Sequence, residues 1–328
     1  MMEKIAIVLA AGIGKRMHSK TPKVLHKICG TEMIFYPIES ARKAGFGKVV
    51  VVISENIDPS LFKEEKVAFQ KVPLGTGDAA AKGLDAVKSA PEDAEILILT
   101  GDNPLTEEGD IKALSEFFEN GGFDAVVLSA EADNPAGLGR IISDNGKFVK
   151  IVEEKDATEE EKKTKEINTG IYVFKKSALE ESLAHLSNNN AQGEYYLTDT
   201  LSYLKNAGKK VGAFKMRRKL PVYGVNNRKE LSIATKIIQQ KILDKLMLSG
   251  VTILNPETVL IDKEVKIGND TVIYPGTSIF GKTEIGADCK IGPNTKIENA
   301  KIGNSVKAQF SVILESEIGD GCVIGPFS

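Results

Sequence analysis

The stretch Val8-Leu-Ala-Ala-Gly-Ile-Gly-Lys-Arg-Met17 joins an apolar run to a glycine-rich basic segment. Residues 5–9 are short, apolar and partly β-branched, which predicts a buried strand. The two glycines that follow allow close backbone approach to a ligand, and Lys15 and Arg16 add positive charge, a combination that suits a polyphosphate. An ordinary strand-to-helix turn has the same features, so both interpretations stay open at this point.

Strand-like and helix-like segments alternate from residue 3 to residue 226. The strand candidates are apolar at successive positions, as in a parallel sheet covered on both faces. They lie at residues 5–9, 49–53, 96–99 and 125–128, and helical patterns lie between them at 33–44, 77–89 and 109–120. This alternation predicts a doubly wound α/β domain with a mostly parallel sheet. Ligands of such domains bind beyond the carboxyl ends of the strands.

The pattern loosens after residue 130. Residues 139–142 and 148–152, separated by Asp144-Asn-Gly146, predict a β-hairpin with an Asn-Gly turn. Residues 153–166 are mostly charged and predict a solvated loop or short helix, although Glu153 directly follows a strand. Another strand is predicted at 168–174. Residues 227–249 form an amphipathic helix with a capping pattern at its start, which suits a linker between domains.

The last segment has a six-residue period. Isoleucine occupies positions 261, 267, 273, 279, 285, 291 and 297, and the period then slips by three residues and resumes at Val306, Val312, Ile318 and Ile324. A hexapeptide period is typical of a parallel β-helix. We therefore predict domains at 1–226 and 251–328, joined by a linker helix at 227–250. A solenoid requires a cap, and none is visible before residue 328, so a chain truncated within this domain is expected.

Composition excludes several classes of protein. The net charge of −2 provides no basic field for nucleic acid. The three cysteines form no CxxC pair, so neither a zinc site nor a disulfide scaffold is expected. There is no signal peptide and no apolar run of about 20 residues, so neither export nor membrane insertion is expected. We predict a cytoplasmic protein.

Two further residues suit nucleotide chemistry. Lys23 follows Pro22 soon after the glycine turn, where its ammonium could hold a phosphate, although most lysines are solvated surface residues. Asp102 follows a buried strand and is a candidate Mg²⁺ ligand, or else a turn or cap residue.

Residues 74–79 form a second glycine turn that opens a helix. This turn could contact a base or ribose, or Thr76 could simply cap the helix. No Walker loop, GxGxxG fingerprint or nucleophile triad is present.

Taken together, these segments resemble the sugar-1-phosphate nucleotidyltransferases. The resemblance rests on LAAGIGKRM, TPKVLH, PLGTGDA, TGDNPL, GLGRI, IVEEKDAT, EINTGIYVF, NAQGEYYLTD and GVNNR. The chain is similar to the bacterial bifunctional family of N-acetylglucosamine-1-phosphate uridyltransferases/glucosamine-1-phosphate acetyltransferases. The hexapeptide region extends this resemblance to the whole chain. It implies a Rossmann-like nucleotide-diphospho-sugar transferase domain followed by a left-handed β-helix that packs as a homotrimer.

The resemblance also implies a reaction, in which UTP and N-acetylglucosamine 1-phosphate give UDP-N-acetylglucosamine and pyrophosphate with Mg²⁺. Arg16 and Lys23 would bind the nucleotide phosphates, and Asp102 and Asn226 the metal. The resemblance also implies residues that would bind the nucleotide, namely Leu9, Ala10, Ala11, Gly12, Gln70, Gly75 and Thr76. It implies that Gly139, Glu153 and Asn168 would bind the amino sugar. Asn226 would bind substrate as well as the metal.

Three departures from the family pattern affect the finer contacts. Pro73, Thr100 and Glu154 stand where a polar residue, an aromatic residue and histidine are common. The acetyltransferase residues of the family would lie beyond Phe327, so no acetyltransferase activity is expected of this chain. The alternatives are a related nucleotidyltransferase with another base or sugar, and a non-catalytic hexapeptide-repeat regulator.

Overall fold

The computed structural model describes residues 2–144 and 147–328. Its contacts divide the chain into two compact units. One comprises the residues up to His26 together with Met33–Glu230, and the other comprises Lys27–Glu32 together with Leu231–Ser328. Within the part of the chain that is described, no helix has the length and apolar character that crossing a bilayer requires.

The helices and strands as far as the long helix follow the alternation expected from the sequence. The strands are β1 (Lys4–Leu9), β2 (Lys27–Ile28), β3 (Thr31–Glu32), β4 (Lys48–Ile53), β5 (Lys66–Phe69), β6 (Glu95–Thr100), β7 (Ala125–Glu131), β8 (Arg140–Asp144), β9 (Lys147–Val152), β10 (Glu166–Lys175) and β11 (Val211–Lys215). The helices are α1 (Phe35–Lys43), α2 (Thr76–Asp85), α3 (Glu108–Gly121), α4 (Lys176–Leu183), α5 (Thr198–Asn206) and α6 (Arg228–Leu248). Short 3₁₀ turns lie at Lys15–Met17, Lys23–Leu25, Pro59–Leu61, Glu161–Lys163 and Pro256–Thr258.

The first unit is built on a sheet with the strand order β11-β7-β10-β6-β1-β4-β5. The strands from β6 to β5 are parallel, and β10 runs antiparallel to both β6 and β7. Two hydrophobic cores cover the two faces of the sheet, as the nearly continuous apolar sequences of its central strands require. The predicted doubly wound α/β fold is confirmed. The one antiparallel central strand, β10, was not expected from the sequence.

The predicted hairpin is confirmed, since β8 and β9 pair antiparallel. Its proposed turn residues, Asn145 and Gly146, lie outside the described residues. The charged segment after β9 contains the short 3₁₀ turn Glu161–Lys163, in agreement with the expected solvated loop. At the start of α6, the backbone N–H of Glu230 donates to Asn227 Oδ1 at 2.9 Å, which is the predicted cap.

The second unit contains short parallel strands stacked in three sheets. One sheet contains β12 (Thr252–Ile253), β15 (Val272–Ile273), β18 (Lys290–Ile291), β21 (Lys307–Ala308) and β24 (Val323–Ile324). The second contains β13 (Leu260–Ile261), β16 (Ser278–Phe280), β19 (Lys296–Glu298) and β22 (Val312–Leu314), and the third contains β14 (Lys266–Ile267), β17 (Glu284–Ile285), β20 (Lys301–Ile302) and β23 (Glu317–Ile318). These are the repeated parallel strands of the predicted left-handed β-helix.

The proposed continuation of the six-residue period after Ile297 is partly wrong. Val312 is 57% exposed, whereas its neighbour Ile313 is buried and pairs with Ile297 of the preceding coil. The isoleucine series therefore continues through Ile302, Ala308 and Ile313, with intervals of five, six and five residues. Shorter coils keep the same strand alignment, because the tertiary pairing, and not the spacing, decides which residue points inward. Val306 is buried as expected, but it directly precedes β21 and is not a strand residue. The predicted positions Ile318 and Ile324 are confirmed, since they pair with Ile302 and Ala308 and pack against the core.

Candidate active site

The loops that follow β1 and β6 begin side by side at one edge of the sheet. Leu9 and Thr100 are register partners in the parallel pair, and the N–H of Gly101 donates to the carbonyl of Leu9 at 2.9 Å. On the other side, the N–H of Ala10 donates to the carbonyl of Val52 at 2.8 Å. The glycine turn and the segment that contains Asp102 are thus adjacent, as expected of loops at the carboxyl edge of a parallel sheet.

A cleft of about 690 Å³ opens at this edge. Nine of the residues predicted to bind the nucleotide, phosphate or metal line it: Leu9, Ala10, Ala11, Gly12, Lys23, Gln70, Gly75, Thr76 and Asp102. This volume lies within the range of small-molecule sites. Residues from four separate segments therefore meet in a single cavity.

Lys23, Asp102 and Asn226 form a contact cluster at the base of the cleft. The ammonium of Lys23 donates to the carboxylate of Asp102 and, at 3.0 Å, to Asn226 Oδ1. Both charged side chains are mostly buried, with 13% and 19% exposure. The N–H of Val225 donates to the carbonyl of Asp102 at 2.9 Å, which brings the neighbouring asparagine to the carboxylate. Two oxygens from segments far apart in sequence therefore converge on one positive charge.

The charge state of Asp102 is set by opposing effects. Burial acts to raise its pKa, but the Lys23 ammonium and hydrogen bonds from Lys23 and Thr100 outweigh burial, and the pKa lies below the usual aspartate value. Asp102 is therefore ionised at neutral pH. A carboxylate must be ionised both to pair with a lysine ammonium and to coordinate a divalent cation.

Gly14 explains how the glycine turn positions Lys23. Its φ of 65° lies in the left-handed region, just before the turn Lys15–Met17. A Cβ at this position would lie only 2.5 Å from the Cβ of Lys23. The turn packs directly against the lysine backbone, and only glycine fits there.

The second glycine turn, at residues 74–79, is hydrogen-bonded to residues 195 and 197 of the same unit. The N–H of Gly77 donates to the carbonyl of Tyr195 at 2.7 Å, and the hydroxyl of Thr76 accepts from the N–H of Leu197 at 3.0 Å. The carboxamide NH₂ of Gln70 donates to the carbonyl of Gly75 at 3.0 Å. Thr76 is the first residue of α2 and not its cap, so the cap interpretation of this residue is not supported.

The three residues proposed for the amino sugar lie close together. The N–H of Asn168 donates to the carbonyl of Gly139 at 2.9 Å, and a Cβ on Gly139 would lie 3.5 Å from Glu153 Oε1. Burial raises the pKa of Glu153 above the ordinary glutamate value, and the carboxylates of Asp199 and other nearby acids add to the rise. The three residues do not line the 690 Å³ cleft.

Arg16 lines a different cavity of about 390 Å³, which it shares with Asn226. The structure therefore does not place its guanidinium in the cleft with Lys23, although Asn226, which lines the second cavity, accepts a hydrogen bond from Lys23. Among the described residues, no group of three or more His, Cys, Asp or Glu side chains could hold a metal ion. If Asp102 and Asn226 held a divalent cation in place of the Lys23 ammonium, its protein ligands would be one carboxylate and one amide oxygen. This suits Mg²⁺, which retains waters and substrate phosphates.

Several residues that line the cleft were not selected from the sequence. Lys155, Gln192 and Glu194 belong to it, and the ammonium of Lys155 donates to Gln192 Oε1 at 2.9 Å. The carboxylate of Asp156 also accepts from the N–H of Ala191 at 3.1 Å. Their segments, IVEEKDAT and NAQGEYYLTD, were among the motifs of the resemblance. The charged run itself was interpreted as solvated, and pattern alone contains no signal for its contact with residues 190–194.

Two family models and several relatives of known name match this chain. The family model for nucleotidyl transferases matches residues 5–220, and the model for six bacterial transferase hexapeptide repeats matches residues 264–299. The bifunctional protein GlmU of Caldanaerobacter subterraneus subsp. tengcongensis is 47% identical over 332 residues, covering 100% of this chain and 72% of that protein. The chain belongs to the GlmU family. The GlmU of Pelotomaculum thermopropionicum is 44% identical over 331 residues, with 100% and 72% coverage.

A solved structure supports the fold alone. A putative glucose-1-phosphate thymidylyltransferase from Bacillus anthracis, in complex with sucrose, superposes with a TM-score of 0.59 at 20% sequence identity. The match covers 71% of this chain and 94% of that one.

The family models and the GlmU relatives confirm the family predicted from the sequence motifs and the nucleotidyltransferase class of enzyme.

Proposed function

We propose that this GlmU family member transfers a uridylyl group from UTP to N-acetylglucosamine 1-phosphate, releasing pyrophosphate. The observation that carries the proposal is the cleft itself, in which the glycine turn, Lys23 and Asp102 share one cavity with the second glycine turn. A phosphate-binding segment and a segment suited to a base thus face the same space. A non-catalytic regulator does not require a buried lysine and aspartate at that position.

The chemistry is a single displacement at phosphorus. A phosphate oxygen of the sugar phosphate forms a bond to the α-phosphorus of UTP, and the bond from that phosphorus to the bridging oxygen breaks, so that pyrophosphate leaves. No protein nucleophile takes part. The chain contributes positioning and charge stabilisation. We assign the α-phosphate to Lys23. The departing phosphates are assigned to Arg16, which lines the second cavity together with Asn226, the hydrogen-bond partner of Lys23, so this assignment requires the nucleotide to extend past Asn226.

The residues present fit a divalent cation. Asp102 and Asn226 direct two oxygens toward one point, and in the structure the Lys23 ammonium takes up both. A cation bound there would neutralise phosphate charge, and we propose Mg²⁺. Asp102 and Asn226 would hold it, and Lys23 would then be released to contact the nucleotide.

For the base we propose Gln70, Gly75, Thr76 and the Leu9–Gly12 backbone, and for the amino sugar Gly139, Glu153 and Asn168. A carboxylate beside a backbone carbonyl offers acceptors for sugar hydroxyls and the amide N–H. The hydrogen bond from the N–H of Asn168 holds the Gly139 carbonyl in place.

The remaining proposals concern the whole protein. We propose a homotrimer formed through the β-helix, which sedimentation equilibrium would test, and a cytoplasmic location. Domain limits at 1–226, 227–250 and 251–328 remain our division of the chain. The absence of acetyltransferase activity stays a prediction that a thiol-release assay with acetyl-CoA and glucosamine 1-phosphate would test.

A pyrophosphate-release assay with each combination of nucleotide and sugar phosphate tests the main proposal. We expect UTP with N-acetylglucosamine 1-phosphate to exceed every other pair in kcat/KM by at least about tenfold, a margin of about 1.4 kcal/mol in transition-state binding. Equal rates with glucose 1-phosphate would refute the sugar assignment, and equal rates with dTTP would refute the base assignment.

A further inference from the structure

Arg140 lies at the meeting point of the three segments that carry the proposed amino-sugar residues. It directly follows Gly139 in the chain. Its register partners are Val152 in β9, which precedes Glu153, and Ile167 in β10, which precedes Asn168. One residue at the start of β8 is therefore adjacent to all three positions.

The side chain of Arg140 is only 2% exposed and is held by a specific set of contacts. Its Nη1 donates to the carbonyl of Leu138, and its Nη2 lies 2.7 Å from Glu154 Oε2. The backbone N–H of Gly137 also stabilises the Glu154 carboxylate, since it acts to lower the pKa of that group. Guanidinium and carboxylate together fasten the loop before β8 to the turn after β9.

Burial acts to raise the pKa of Glu154, but the neighbouring Arg140 guanidinium and the backbone N–H of Gly137 outweigh it, and the pKa lies below the ordinary glutamate value. A buried guanidinium is costly unless it is paired. Because the guanidinium is buried, this pair differs from a fully exposed ion pair, which contributes little.

We propose that the Arg140–Glu154 pair is a positioning device for the sugar phosphate, which sets the distance between the Gly139 backbone and the Glu153 carboxylate. This inference rests on the proposed function. Glu154 stands where histidine is common in the family, so this chain uses a full ion pair at that point. The pair itself does not touch the nucleotide cleft, whose lining excludes both residues. Its loss should therefore affect binding of the sugar and leave binding of UTP unchanged.

The test compares Glu154→Ala and Glu154→Gln with the wild-type chain. Because a 1 Å error in position costs as much as 100-fold, we expect Glu154→Ala to raise the KM for N-acetylglucosamine 1-phosphate by about tenfold. A Gln amide oxygen can still lie beside the Arg140 guanidinium as an uncharged partner, so Glu154→Gln should raise this KM by only about threefold. The KM for UTP should stay within about twofold in both variants. Glu154→Ala leaves the buried Arg140 guanidinium without its carboxylate and should lower the melting temperature, whereas Glu154→Gln keeps a polar partner beside it. A thermal melt shows whether each variant is folded at the assay temperature.

Glu161→Gln is the matched control. It removes the 2.8 Å ion pair to Lys150 on the same hairpin, away from Gly139, and should leave both KM values unchanged. The inference is overturned if Glu154→Ala leaves the sugar KM unchanged, or if both KM values rise together with a lower melting temperature. A wild-type chain with no uridylyl transfer would instead overturn the proposed function, and this inference with it.

Discussion

Gly14→Ala tests whether the glycine turn positions Lys23. The new Cβ would lie 2.5 Å from the Cβ of Lys23, and carbon atoms in contact are separated by about 3.5 Å or more. The lysine backbone must therefore retreat by about 1 Å, or the turn must distort. Gly14 is also in the left-handed region at φ 65°, where alanine costs about 1 kcal/mol.

The expected magnitudes follow from this geometry. The left-handed conformation and the overpacking together would reduce the free energy of unfolding by about 2–4 kcal/mol if the backbone stayed in place. Movement of Lys23 relieves part of that strain but takes its ammonium from Asn226 Oδ1, now at 3.0 Å. We therefore expect kcat to fall by about 100-fold, with a melting temperature lower by several degrees.

The assay is pyrophosphate release at saturating UTP and sugar phosphate, together with a calorimetric melt. Gly109→Ala is the control, because its Cβ meets nothing within 4 Å and its φ is ordinary. It should leave kcat unchanged and alter stability by less than about 1 kcal/mol. A Gly14→Ala variant with kcat within threefold of wild type would refute the reasoning, since it would separate the glycine turn from the position of Lys23.

Three further predictions follow from the site and the β-helix. Asp102→Ala should abolish Mg²⁺-dependent turnover, by at least about 1000-fold, while circular dichroism shows an intact fold; undiminished turnover would remove Asp102 from the metal site. The pKa of Glu153 is raised in the native state. At pH values between the ordinary glutamate pKa and this raised pKa, the native state keeps a proton that the unfolded chain has lost. The contribution of Glu153 to the free energy of unfolding therefore decreases as pH rises through this range. A sugar hydroxyl donates more strongly to the ionised Glu153 carboxylate than to the protonated acid, so the KM for the sugar phosphate should fall over the same rise in pH. The Glu153→Gln variant should lose this pH dependence. Identical pH profiles of KM in the wild type and the variant would contradict the role of Glu153. Ile313→Ala should destabilise the β-helix by about 2–5 kcal/mol, whereas Val312→Ala, at a 57% exposed position, should cost less than about 0.5 kcal/mol in urea titrations; the reverse order would restore the register expected from the sequence.

Much of the fold was predictable because it depends on local periodicity. The alternation of apolar strands and amphipathic helices specified the parallel sheet, and a spacing of six residues specified the β-helix. Both signals are properties of short segments that bury one face or both. The antiparallel strand β10 could not be predicted in this way, because strand direction depends on how the chain returns to the sheet and not on composition.

The site was predictable where each residue follows a strand directly. Asp102 and the glycine turn belong to this class, because strands in parallel deliver their carboxyl ends to one edge. Asn226 was different. It was named from the resemblance alone, and its contact with Lys23 crosses about 200 positions of sequence. The contact of Lys155 with Gln192 was likewise invisible, since neither residue lies in a periodic pattern.

The sequence by itself determined the fold class, the family and the identity of the charged groups, because these depend on residue type and short-range spacing. Tertiary structure alone decided which charges meet. It placed Lys23 between Asp102 and Asn226, directed Arg16 into a second cavity, paired Arg140 with Glu154 and set which isoleucines of the last coils face inward. The physical reason is that an ion pair or a buried side chain depends on distances of a few ångströms between segments that are remote in the chain, and periodicity contains no information about those distances.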